Sequence, residues 1–152
     1  MAFATRTRID IEGVDAVIDD VCHHMTEHNA ELEVDGGVRI LRFNGSCARF
    51  TPDGEAAVID VHADHLEGIY FTRMAVVSHI RELSRRDVPA IVWTGDGSDL
   101  VRPPNFQILE VVSVRDVTPH MRRLTLAGAD VARFLPLDAL HLNILVQRPN
   151  AD

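Results

Sequence analysis

The sequence predicts an α+β fold: a β-α-β-β-β-β-α layer of two helices on an antiparallel sheet, followed by a further set of strand-like runs. Three observations predict it. Turn dipeptides recur at even spacing between residues 30 and 63, and two segments carry apolar residues at helical spacing. The character of the chain then changes across a Gly/Asp/Pro-rich stretch near residue 100.

The turn dipeptides are Asp35-Gly36, Asn44-Gly45 and Asp53-Gly54. Such pairs favour type I′ turns, in which both central residues need positive φ and the backbone twist suits a tight hairpin. They divide the stretch into "AELEV", "VRILRF", "SCARFT" and "AAVIDVHA", four runs that read as an antiparallel meander.

A helix is predicted over Val14–His28, where Val14, Ile18, Val21 and Met25 form one apolar stripe. A second is predicted from Asp64 to about Arg85, with Asp64 and Glu67 in a capping-box pattern. Its buried face is expected to be Leu66, Ile69, Val76, Val77, Ile80 and Leu83. Ahead of both, "AFATRTRIDI" alternates as a strand does.

Residues 1–87 therefore make one α+β domain, and 88–105 read as a linker. Within it "VPAIVW" has strand composition, while "TGDGSDLVRPPN" is turn- and linker-forming. Residues 106–152 contain three strand-like runs, "FQILEVVSV", "RRLTLAG" and "ALHLNILV", with "ADVARFL" as a short helix between the last two.

Composition narrows the function classes. The chain is 46% hydrophobic and 25% charged, a globular balance. No apolar run approaches the ~20 residues of a membrane span, and the N-terminus has no apolar core of signal-peptide length. The expected location is the cytoplasm, with no membrane partner. Residues 1–99 hold 9 Arg against 18 acidic residues, which argues against a nucleic-acid partner. All 15 basic residues are Arg, so neither a Schiff-base lysine nor a P-loop is available. Cys22 and Cys47, the two cysteines, are expected to be reduced and buried.

The stretch most suggestive of chemistry is "CHHMTEH", residues 22–28. Metal ligands must converge on one point. At about 100° per residue, His24 and His28 share one edge of the apolar stripe, Cys22 lies about 160° from His24, and His23 points away from the core. The helix offers a two-ligand pair at most. His62 and His65 are the candidate partners, yet nothing in the sequence brings them to that edge. The expectation is solvated imidazoles and no metal site.

"TGDGSD" lacks the spacing and following helix of a phosphate loop and reads as a turn. Asp96 and Asp99 would need more oxygen ligands than the stretch supplies to hold a hard cation. No serine stands in a nucleophile-elbow context, and Cys47 has no base nearby in sequence, so no catalytic residue is nominated.

The pattern of a strand, then "VTPHMRRLTLAG", the short "ADVARF" helix and a strand entered through a histidine, "HLNILV", spans residues 106–146. It resembles the opening of the siderophore-interacting protein family, flavin-dependent ferric-siderophore reductases related to ferredoxin reductases. Residues 1–87, with "VCHHMTEH", the hairpin series and "VVSHIREL", resemble domain of unknown function 2218, which occurs alone or directly upstream of such a reductase.

The resemblance implies that residues 106–152 are the N-terminal strands of an incomplete antiparallel β-barrel segment, from a parent protein that holds FAD in that barrel, takes hydride from NAD(P)H and passes electrons singly to Fe(III) in a ferric siderophore. His141 and Asn143 are the positions it places near a flavin, and Thr118, Pro119, Arg122 and Arg123 match its first hairpin. Asn143 stands where Lys is usual, and Val146-Gln147 where Phe-Pro is common. In the family an Arg-x-Tyr-Thr flavin motif follows the "HLNILV" strand, whereas "QRPNAD" stands there in this chain. The expectation is the N-terminal portion of a longer reductase, inactive and without retained FAD as a fragment. The alternative is a non-catalytic binding or dimerisation module with a vestigial barrel segment. Under either reading the open edges of the barrel strands offer a route to self-association.

Overall fold

A computed structural model of the chain describes residues 1–84, 87–104, 106–129 and 131–134. It divides into two units, Met1–Asn105 and Phe106–Asp152. The first contains β1 (Phe3–Ile9), α1 (Val14–Glu27), β2 (Glu31–Asp35), β3 (Val38–Phe43), β4 (Ser46–Asp53), β5 (Ala56–Ala63), α2 (Leu66–Leu83) and β6 (Thr94–Gly95). All its strand pairings are antiparallel, in the order β2-β3-β4-β5-β1-β6. The β-α-β-β-β-β-α order expected from the sequence is the order observed.

Alternation decides which face of the sheet receives the helices. In β1 the buried positions are Thr5, Thr7 and Ile9, and in β5 Ala57, Ile59, Val61 and Ala63 face the core. Leu41 and Phe50 extend that surface across β3 and β4. Ile18, Val21 and Met25 of α1 and Ile69, Val76 and Ile80 of α2 complete one core cluster. The opposite face carries ion pairs, Arg6 with Asp60 and Arg8 with Asp53.

Gly68 lets α2 lie close to the sheet. A Cβ there would stand 2.8 Å from the Ala63 Cβ. Arg39 ties α1 to the meander, since its guanidinium donates to Asp19 at 2.8 Å, to Asp15 at 3.0 Å and to the Gly37 carbonyl at 2.9 Å.

Four local expectations need correction. Only the first hairpin turn has the type I′ signature: Asp35 pairs with Val38, and the loop is Gly36-Gly37 with φ of 54° and 85°. In the next two loops, Asn44-Gly45 and Gly54-Glu55, the glycine alone has positive φ. The capping box of α2 does not form. His65 takes the N-cap position without a side-chain hydrogen bond, while the Asp64 amide donates to the Gly45 carbonyl and its carboxylate stands 3.5 Å from the N-terminal amine. Asp64 is consumed by the turn out of β5, one residue too early to cap. On α2, Leu66 is exposed and Thr72 is buried in its place, because Thr72 shares a 2.8 Å hydroxyl hydrogen bond with buried Ser46.

The fourth correction concerns the stretch read as a linker. Its strand is Thr94–Gly95 rather than "VPAIVW", and it adds an edge to the sheet beside β1. Thr5 and Thr7 donate their hydroxyls to the carbonyls of Thr94 and Val92 at 2.8 and 2.6 Å, which explains threonine at two core-facing positions. Trp93 is buried beneath Arg73, whose guanidinium lies 5.1 Å above the ring and donates to the Gly97 carbonyl at 2.6 Å.

In the second unit, β7 (Glu110–Thr118) and β8 (Met121–Ala127) form an antiparallel hairpin, and Val131–Phe134 make one 3-10 turn. The register shifts twice, between Val111 and Ser113 and between Asp116 and Thr118, so the ladder is locally interrupted on the β7 side. The third strand-like run, with His141 and Asn143, lies outside the described residues.

Candidate functional site

The helix geometry that separates Cys22 from its neighbouring histidines is observed. Cys22 is buried, His23 is exposed, and His24 lies half-buried at the edge of the apolar stripe. His28 is the C-cap of α1, exposed and one turn beyond His24. Their Nε2 atoms face each other at 3.2 Å, with ring centroids 4.8 Å apart.

The pair is not alone. His79, half-buried near the end of α2, brings its ring centroid to 5.0 Å from that of His24 and 6.1 Å from that of His28. One ligating atom from each of the three rings lies within 4.8 Å of the others. The site sits where the last turn of α1 meets the C-terminal part of α2, and the partial negative charge at helix C-termini favours cations there.

Two rings are oriented through their second nitrogen. The Nδ1 atom of His79 lies 2.7 Å from the Ala75 carbonyl oxygen. A carbonyl only accepts, so that nitrogen carries the proton and the neutral ring's Nε2 keeps its lone pair. His24 Nδ1 stands 3.5 Å from the Glu27 carboxylate, which favours a proton on Nδ1 in the same way.

The partners named from sequence lie elsewhere. His62 is in β5 opposite Ala4 and Cys47, lining a shallow depression of about 540 Å3 on the charged face of the sheet. His65 is the N-cap of α2, fourteen residues from His79 and thus about 21 Å along the axis. His79 itself belongs to the "VVSHIREL" segment, on the α2 edge between buried Val76 and Ile80. Its edge position is readable from the periodicity. Its proximity to His24 depends on how the two helices cross the sheet, which local patterns do not encode.

Other residues singled out in the sequence have local surroundings of their own. Cys22 and Cys47 are free and buried, and burial pushes the Cys22 thiol up to about 12. The "TGDGSD" stretch is β6 followed by a turn, and the Asp96 carboxylate accepts from the Ala4 amide at 2.8 Å. In the β7–β8 turn, Thr118 Oγ1 accepts from the His120 amide, and Arg122 pairs with Asp116 at 2.8 Å.

A helix-backed antiparallel sheet carrying a histidine triad is thus the class that fold and site define. The sequence matches the family described as "Uncharacterized protein conserved in bacteria (DUF2218)" over residues 6–94, and the chain belongs to that family. The match ends before the second unit begins. Among solved structures, the chain is similar to that titled "NMR structure of PA4090 from Pseudomonas aeruginosa", with a TM-score of 0.51 and 14% identity. That alignment covers 60% of this chain and 95% of the other, a likeness of fold. No curated protein matches the sequence significantly.

Proposed function

We propose that the chain is the N-terminal portion of a flavin-dependent ferric-siderophore reductase working in the cytoplasm, with its family domain placed ahead of a flavin-binding barrel. The observation that carries this reading is the β7–β8 hairpin. Val111, Val112, Val114, Val117, Met121 and Leu124 are all exposed on it. A two-stranded hairpin with so much exposed apolar surface is marginal alone and calls for further strands to cover it. The two register shifts in β7 suit a strand that bends, as barrel strands do. The resemblance of residues 106–146 to the siderophore-interacting family is what directs this reading to a flavin-binding barrel.

When bound, flavin would accept a hydride's two electrons and release them one at a time to Fe(III). The test uses the product of the whole reading frame. FAD retained after gel filtration, with NAD(P)H-dependent release of Fe(II) from a ferric siderophore, is the expected result. A product that neither binds FAD nor reduces iron would overturn the proposal and favour a non-catalytic binding module.

A further inference from the structure

We infer that His24, His28 and His79 form a binding site for one borderline divalent first-row cation of the zinc class, held by three neutral imidazoles with a fourth position open to water. The inference is independent of the reductase reading, because all three residues belong to the first unit.

The ligand geometry suits such an ion. Zinc–nitrogen bonds of about 2.0–2.1 Å in a tetrahedral site place neighbouring nitrogens about 3.4 Å apart. His24 and His28 Nε2 already stand at 3.2 Å, and the whole set lies within 4.8 Å. Closing the triad asks for roughly an ångström of movement, available to the exposed His28 through its side-chain torsions.

Orientation supports the same conclusion. Metal-bound histidines characteristically donate their other ring N–H to a carbonyl or carboxylate, which fixes the tautomer and raises ligand basicity. His79 has that arrangement with the Ala75 carbonyl, and His24 has the Glu27 carboxylate beside its Nδ1. The Nε2 atoms of His24 and His28 face each other at 3.2 Å, a pair that a shared N–H or a cation between them satisfies.

Ligand type sets the class of ion. Imidazole suits zinc, copper, nickel and ferrous iron, whereas calcium and magnesium prefer oxygen ligands. A half-buried site with an exposed member leaves an entry path. Three histidines plus a solvent position is the ligand count of open rather than closed zinc sites.

The test is calorimetric titration of the untagged full chain with Zn2+, beside His28→Ala, His79→Gln, His62→Ala and His65→Ala. The expected result is saturable binding of about one equivalent. His28→Ala and His79→Gln each weaken it by at least about 100-fold, since loss of an orienting partner alone costs 10–100-fold. His62→Ala and His65→Ala leave it unchanged. Far-UV circular dichroism monitors folding; should His79→Gln unfold, the exposed His28→Ala decides. No saturable binding, or binding undiminished in His28→Ala, would overturn the inference.

Discussion

At the residue scale, the two sulfhydryls and the histidines illustrate how position on one helix separates chemistry from packing. Cys22 stands two residues from His24, yet it is 1% exposed and belongs to the core. Its thiol is raised to about 12 by burial, while a thiol in the unfolded chain ionises near about 8.5. Above about pH 9 the unfolded state therefore binds fewer protons than the native state, and stability falls as pH rises. Between pH 8 and pH 10, urea unfolding of the wild type should lose about 2 kcal/mol more than that of Cys22→Ala. Equal losses in the two proteins would show that Cys22 does not hold its proton on folding. The helical wheel was enough to read this separation of Cys22 from His24 and His28. It was silent on His79, because the third imidazole arrives from a helix more than fifty residues away in sequence.

At the element scale, the meander is the most legible part of the chain. Its strand bounds follow from Gly-containing turns and from the alternation of buried positions, both local signals. The exact turn types were not legible, since φ at Asn44 and Glu55 responds to the register of the flanking strands. β6 was missed for a related reason. Two residues carry no periodicity, and this strand exists through its partner: the Asp96 amide donates to the Ala4 carbonyl, and the Ala4 amide to the Asp96 carboxylate, both at 2.8 Å. Gly95 makes that approach possible: its φ is 98°, and a Cβ at this position would stand only 2.6 Å from the Ala4 oxygen. Gly95→Ala should detach the edge strand. Hydrogen exchange at the Ala4 and Asp96 amides is the measurement, and protection equal to wild type would contradict this account of β6.

At the scale of the whole molecule, the chain joins a family domain with a histidine triad to a second unit that contains a two-stranded antiparallel hairpin. No helix among the described residues is long and apolar enough to cross a membrane. The sequence patterns specify the layer of two helices on a sheet, because each helix has one apolar stripe and the sheet one apolar face. They leave open how the helices cross, and the triad exists only through that crossing. Its site is built by tertiary structure, so its metal is the most informative quantity to measure. Crystals grown with zinc, with diffraction recorded above the zinc absorption edge, test it most directly. One anomalous peak is expected about 2.0–2.1 Å from a ring nitrogen of each of His24, His28 and His79. A peak held by other residues, or none at the junction of α1 and α2, would contradict it.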